Sequence, residues 1–255
     1  MEGHRNERVY ARRLDATLQL LWTSLLGIAS SMKRRLFKYF SRPEYAEAFL
    51  DGNMFCQTAA FFRDYEDAKA QQIIGDEYEG TRLYRPVTGL EVNNLTRNTS
   101  HILNAGMEFA TRAHEIYIFC MSRSFSDVLK NEFSAVAGVE VVDPLAFIGR
   151  WRDALPEAAK QKDKHVARRV EYYKPEDVPG NVWALPDLII TTKLKRFQYQ
   201  DEYRLAYTTT DAFGFENCAY HIVNRNARPL PRPEEHLHQT LALGNLREIC
   251  RNHVL

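Results

Sequence analysis

The chain is predicted to adopt an α+β fold, a mostly antiparallel β core with inserted helices, and three observations predict it. Glu115-Ile-Tyr-Ile-Phe-Cys-Met-Ser122 is apolar on both faces, as a central strand must be. Asp143-Pro144 supplies an N-cap and a first-turn proline ahead of apolar residues at helical spacing. Short strand-like runs separated by turns fill the rest, with no internal repeat, heptad or low-complexity tract.

The elements follow in order. Leu36-Phe-Lys-Tyr-Phe-Ser41 has strand composition, and Pro43 opens a short helix from Glu44 to Leu50 that stops at Asp51-Gly52. Met54-Phe-Cys-Gln57 is a second strand. Phe61-Phe-Arg-Asp-Tyr-Glu-Asp67 and Ile74-Gly-Asp-Glu-Tyr-Glu-Gly80 form an acidic, aromatic loop region, and residues 82–113 read as short strands and turns. After the central run, Gly138–Val142 is a strand. The helix from Asp143 through Leu155 presents Leu145, Ile148, Trp151 and Leu155 on one face, so Trp151 reads as core. Val166–Tyr173 is read as one strand, Pro186–Lys195 as a short helix and Asp201–Thr208 as a strand. Tyr220–Val223 and His238–Leu243 are the last strands before a terminal tail.

Composition narrows the function classes. The 255 residues carry 34 Lys+Arg against 33 Asp+Glu, a net charge of +1, which excludes a polyanion-coating protein and an acidic disordered tail. Seven of the basic residues fall in residues 1–35, so the body from residue 36 holds 27 basic against 30 acidic side chains and is mildly acidic. Cys56, Cys120, Cys218 and Cys250 lie far apart without metal-ligand spacing, which points to reduced thiols in a cytoplasmic compartment rather than zinc or disulfides. Residues 18–32 are mostly apolar between basic flanks. They resemble a signal peptide superficially but are short for a membrane span. A terminal helix packing its Leu/Trp face on the body is the plainer reading, and a true start at Met32 is a third. The domain organisation expected is therefore residues 1–35 as an N-terminal helix and 36–255 as a single α+β domain.

Signatures for P-loop, dinucleotide-fold, zinc-protease and serine-hydrolase chemistry are absent from the sequence. Three clusters remain. Arg63, Asp64, Glu66 and Asp67, with Asp76, Glu77, Glu79 and Arg82 behind them, form a dense charged patch, for which solvated loop charge is the simpler explanation. Cys120-Met-Ser-Arg-Ser124 ends the central strand, where Ser122 or Ser124 either caps a helix or turn or meets a ligand. Gln198-Tyr-Gln-Asp-Glu-Tyr-Arg204 places Glu202 and Arg204 on one face of a strand, for which a cross-strand ion pair is the alternative to catalysis.

Leu36-Phe-Lys-Tyr-Phe-Ser41, the helix ending in Asp-Gly, Phe61-Phe-Arg-Asp-Tyr-Glu-Asp67, Phe119-Cys-Met-Ser122 and Gln200-Asp-Glu-Tyr-Arg-Leu205 together resemble a bacterial family. That family carries an L-Y-[KR]-[YF] strand, an F-N-D-P-F-[ED] loop, a C-F-S strand end and a closing E-[YW]-R-L. It is related in pattern to AbiGi-type abortive-infection proteins. The resemblance covers residues 36–208 and departs from the pattern at Arg63 and Tyr65, where Asn and Pro are usual. The chain is also similar to DarT-type ADP-ribosyltransferases in its first strand, short helix and strand-borne glutamate, and Gln200-Asp-Glu202 matches a Q-x-E spacing of that fold. This resemblance implies a split sheet, NAD as substrate, and Glu202 as the catalytic carboxylate with Arg204 beside it. It implies that Lys38, Tyr39, Arg63, Ser122 and Gln200 bind the dinucleotide.

Three functional classes follow. The first is an NAD-cleaving or ADP-ribose-transferring enzyme of phage defence or a toxin–antitoxin pair, with a nucleic-acid or protein acceptor and no membrane partner. The second is a nucleic-acid enzyme or binder that uses the basic and aromatic residues of 193–204, although Asp187 with Glu202 and Arg204 matches a nuclease poorly and the mildly acidic body opposes phosphate binding. The third is a non-catalytic regulator or antitoxin that binds a cognate partner through its loop carboxylates.

Overall fold

The computed structural model describes residues 35–64, 75–226 and 236–255. Residues 1–34 of the N-terminal helix expected over 1–35, and Tyr65, Glu66, Asp67 and Ile74 of the acidic loop, lie outside them. From Leu36 the chain forms β1 (Leu36–Phe40), α1 (Pro43–Leu50), β2 (Asn53–Thr58), α2 (Ala59–Arg63), β3 (Thr81–Tyr84) and the exposed hairpin β4 (Leu90–Asn94) and β5 (Thr99–Leu103). It continues through β6 (Ala105–Ala110), β7 (Ile116–Ser122), α3 (Asp127–Glu132), β8 (Ala137–Val141), α4 (Pro144–Ala154), β9 (His165–Arg169) and β10 (Glu171–Tyr173). Then come α5 (Pro186–Ile189), β11 (Thr192–Leu194), β12 (Glu202–Thr208), β13 (Ala219–Asn224), β14 (His238–Ala242) and β15 (Cys250–Val254). This is the mixed, mostly antiparallel α+β architecture the sequence predicts. Among the described residues the one parallel pair is β10 with β11.

β7 organises the eight-stranded main sheet. Along one edge it pairs with β12 over its whole length, from Glu202 opposite Ser122 to Thr208 opposite Ile116, and β12 in turn pairs with β9. Its other edge is shared. β2 pairs with it at Tyr117 and Ile118, and β1 only at Ser122. Among the described strands none pairs this edge at Phe119, Cys120 and Met121, so the sheet splits there. Beyond the split, β14 extends β2, while β8 and then β15 extend β1.

The two faces of this sheet differ because strand side chains alternate. Phe119, Met121, Leu205 and Tyr207 point into the main core, where Phe49 of α1 and Phe147 and Trp151 of α4 cover them. Ile116, Ile118 and Ala206 point the other way into a smaller cluster. Farther along that second face stand Cys120, Ser122, Glu202 and Arg204.

The helices start and stop for local reasons. The Asp143 carboxylate accepts from the Ala146 amide at 3.0 Å, the N-cap expected for α4, and Ser126 caps α3 through the Leu129 amide. α1 ends at Gly52, whose φ of +98° and contact with the Gly244 backbone leave no space for a Cβ.

Four expectations need correction. Leu145 is 55% exposed, and the buried face of α4 is Phe147, Ile148 and Trp151, because α4 lies with position 147 toward Phe49. Val166–Tyr173 is two strands in two sheets, broken at Val170, where the amide turns to the Glu202 carbonyl. The helix opened by Pro186 ends at Ile189, since the chain must return as β11 to pair with β10. The terminal tail contains β15, an added edge strand on β8.

Candidate functional site

Where β1 parts from β2 along β7, the second face of the sheet carries a cavity of about 210 Å³. β1 contributes Phe37, Lys38 and Tyr39, the end of β7 contributes Cys120 and Ser122, and β12 contributes Glu202 and Arg204. Glu79, Lys193, Gln200, Phe62 and Phe133 add to the wall, as do Ser41 and Met121. Six of the seven site residues expected from sequence therefore line one cavity: Lys38, Tyr39, Ser122, Gln200, Glu202 and Arg204. Arg63 does not line it. This residue lies at the end of α2, with its guanidinium on the carboxylate of Asp64 at 2.9 Å, while its neighbour Phe62 faces the cavity.

At the base of the cavity is a buried ion network. Glu202 is 4% exposed and Arg204 is 0% exposed. Arg204 Nε and Nη2 hold Glu202 Oε1 at 2.8 and 2.7 Å, and Nη1 and Nη2 hold the two oxygens of Glu79. A further Nη1 contact to the Ile190 carbonyl completes the guanidinium's ties. Lys193 reaches Glu202 Oε2 at 3.2 Å and Gln200 Oε1 at 2.9 Å. Burial would push the Glu202 carboxyl up, but Arg204 and Lys193 outweigh it and hold the group down at about 2. Glu202 is therefore ionised at neutral pH. The same carboxylates hold Lys193 and Arg204 above their ordinary values against burial. Asp76 behaves oppositely: burial, reinforced by Glu79, pushes its carboxyl up to about 6.

Backbone conformation fixes where Glu202 stands. Asp201 adopts φ +39°, a left-handed turn that an Asp side chain tolerates, and this turn delivers Glu202 into β12. The Asp201 carboxylate accepts from Ser124 Oγ at 2.9 Å and pairs with Arg169 at 3.2 Å, and its carbonyl accepts from the Arg123 amide. Ser122 Oγ donates to the Gln200 carbonyl at 2.8 Å and accepts from the Ser124 amide, so its hydroxyl is spent holding this turn. The Tyr39 hydroxyl is similarly engaged, donating to the Ser124 carbonyl and accepting from the Ser126 amide, which leaves its ring as the usable surface.

Lys38 occupies the split itself. Its ammonium donates to the Cys120 carbonyl at 2.8 Å, the group left without a strand partner, and stands 4.5 Å from the Phe119 ring centroid. Burial lowers its pKa, opposed by the nearby Cys120 and Glu202. Burial likewise pushes the Cys120 thiol up to about 12, so it is no thiolate nucleophile at neutral pH.

Lys193, Glu79 and Asp76 were not among the expected site residues. The sequence points to a helix at Lys193 and to solvated loop charge for the two carboxylates, whereas Lys193 lies in β11 and Asp76 and Glu79 are each 2% exposed. No period-two signal marks Lys193, because β11 is three residues long and Thr192, Lys193 and Leu194 are all buried. Among the described residues no group of three or more His, Cys, Asp or Glu side chains is placed to hold a metal ion, and no helix is long and apolar enough to cross a membrane. No protein-family model matches the chain, nor does any curated protein or solved structure.

Proposed function

We propose that this chain cleaves the N-glycosidic bond of NAD, passing ADP-ribose to a nucleic-acid or protein acceptor or to water. The observation that carries the reading is Glu202, a carboxylate kept ionised by Arg204 and Lys193 in a cavity walled by Phe37, Tyr39, Phe62 and Phe133. Such a group suits a reaction that develops positive charge on a sugar carbon. The bond from ribose C1 to the pyridinium nitrogen breaks and its electron pair leaves with neutral nicotinamide. The acceptor's lone pair then bonds to C1, and its proton passes to solvent.

A carboxylate has about four lone-pair positions; Arg204 and Lys193 take three and the Cys120 thiol, a weak donor, bonds the same group, so a ribose hydroxyl would reach Glu202 by displacing that thiol. Its low pKa suits that role and excludes it as a general acid at neutral pH. Arg204 acts through Glu202 as a positioning residue, since its nitrogens are committed to Glu202, Glu79 and Ile190. Lys38, with one backbone acceptor, is the cation placed for a phosphate. Two cations of the 193–204 stretch, Lys193 and Arg204, are turned inward into ion pairs, which weakens the single-strand-binding reading. The same proposal sets the activity in phage defence or a toxin–antitoxin pair, as the family resemblance implies. It also sets the protein in the cytoplasm, and the four free cysteines support a reducing compartment.

The test is nicotinamide release from NAD by the purified chain, offered DNA, RNA and cell lysate in turn. Glu202→Gln is expected to retain the fold and lose about 10²–10³-fold in rate. Equal rates for the two proteins, or no release with any acceptor, would remove the proposal.

A further inference from the structure

Ligand pockets for whole small molecules run to roughly 300–1,000 Å³. The Glu202 cavity, at about 210 Å³, has room for a ring and a pentose but not for a dinucleotide. A second pocket of about 630 Å³ adjoins it, and Lys38, Phe62 and Cys120 line both. The larger pocket is built on β2, whose residues alternate so that Met54 and Cys56 enter the core while Asn53, Phe55 and Gln57 face outward. Gln57 stands opposite Ile118 in the β2–β7 ladder, and Thr240 of β14 opposite Phe55, so these side chains share a sheet face with Cys120. The larger pocket reaches through the split to Phe49 and Phe119 of the opposite face, and the two pockets meet at the split, where Lys38, Phe62 and Cys120 line both.

We infer that the β2 pocket binds the second heteroaromatic ring of a dinucleotide whose glycosidic bond lies at Glu202, with Lys38 on the linking phosphates. The inference rests on the proposed reaction and names where the rest of its substrate lies. Ring, anion, ring is the pattern of a dinucleotide. Aromatic pocket, half-buried cation, aromatic cavity is its complement. Phe55, 50% exposed on an outward strand face, packs one side of its ring near His238, with centroids 5.2 Å apart, and Tyr45 and Phe61 give the pocket further flat walls. The Asn53 and Gln57 amides and the Thr240 hydroxyl supply donors and acceptors for a base edge.

Calorimetric titration of the full chain with AMP, nicotinamide mononucleotide and the uncleavable carbocyclic analogue of NAD tests this, alongside the nicotinamide-release assay. AMP is expected to bind and to compete with carbocyclic NAD. Phe55→Ala is expected to weaken AMP and carbocyclic NAD by roughly 5- to 100-fold, the usual range for a lost base–aromatic stack, and to leave nicotinamide mononucleotide unchanged. Because Phe55 is half exposed, the variant should keep its melting temperature, and Asn53→Ala gives a second, smaller probe of the same pocket.

If NAD is cleaved but AMP neither binds nor competes, or Phe55→Ala affects all three ligands alike, the subsite assignment is wrong and the glycosidic reading survives. If AMP binds in a Phe55-dependent way but NAD is not cleaved, the reaction is wrong and the nucleotide pocket stands. A single-stranded oligonucleotide that binds together with carbocyclic NAD and depends on Phe55 would give the pocket to an acceptor and overturn the inference. Absence of binding by every nucleotide would overturn both readings.

Discussion

The two faces of the β7–β12 strand pair are built by opposite rules. On one face Phe119, Met121, Leu205 and Tyr207 meet Phe49, Phe147 and Trp151, and burial of apolar area is the stabilising term. On the other, past Ile118 and Ala206, the same strands bury Glu202 and Arg204 with Lys193 and Glu79. Burying charges costs several kcal/mol per ion before pairing offsets it, and apolar residues of similar volume often stabilise such positions more. A fold that needed only stability has a simpler solution one face away. The charged end is the part of the sheet that the proposed reaction accounts for.

The largest expected effect breaks the apolar face. Phe147→Ala removes a fully buried ring from beneath α4 and should cost about 3–5 kcal/mol in urea unfolding, with any surviving folded protein retaining its activity. On the charged face, Arg204→Met strands Glu202 and Glu79 without their shared cation and should cost a similar 3–5 kcal/mol. Replacing the pair together, Glu79→Leu with Arg204→Met, sharpens the contrast. Stability should recover to within about 1–2 kcal/mol of the parent while nicotinamide release stays lost.

The pH dependence separates the two carboxylates by sign. Glu202 is depressed from 4.5 to about 2, so the stability it contributes is complete above pH 4.5 and is lost as pH falls toward 2. Asp76 is raised from 3.8 to about 6, so the folded chain holds a proton that the unfolded chain releases. Its contribution is present below pH 3.8 and is lost as pH rises through about 6. Urea unfolding across pH 3–7 should show Asp76→Asn gaining on the parent by on the order of 2–3 kcal/mol between pH 4 and 6.5. A constant difference between the two proteins would contradict the buried, proton-binding Asp76. The smallest effect is Leu145→Ser, which should stay within about 0.5 kcal/mol because that side chain faces solvent.

Local rules carried much of the fold into legible form. Pro43 and Asp143-Pro144 marked two helix starts through their own chemistry, and the apolar run ending at Ser122 marked a strand buried on both faces. Period-two alternation put Glu202 and Arg204 on one face, and the structure places both in the cavity with Lys38, Tyr39, Ser122 and Gln200. What stayed hidden depends on contacts between distant segments. The split at Phe119–Met121 arises because β1 and β2 share one edge of β7, a pairing that neither strand encodes alone. Glu79 looked like loop charge because its partner, Arg204, is 125 residues away. Lys193 is hidden in a three-residue strand that, among the described strands, pairs with β10 alone. Arg63, to which the resemblance gives a part in binding the dinucleotide, pairs instead with Asp64 next to it.

The most direct measurement takes one variant and two readouts. Nicotinamide release and unfolding free energy should be determined side by side for the parent chain and Glu202→Gln at neutral pH. A functional site predicts release down by about 10²–10³-fold with the protein still folded and cooperative. Release unchanged while stability falls would contradict the account and make Glu202 one partner in a structural ion network.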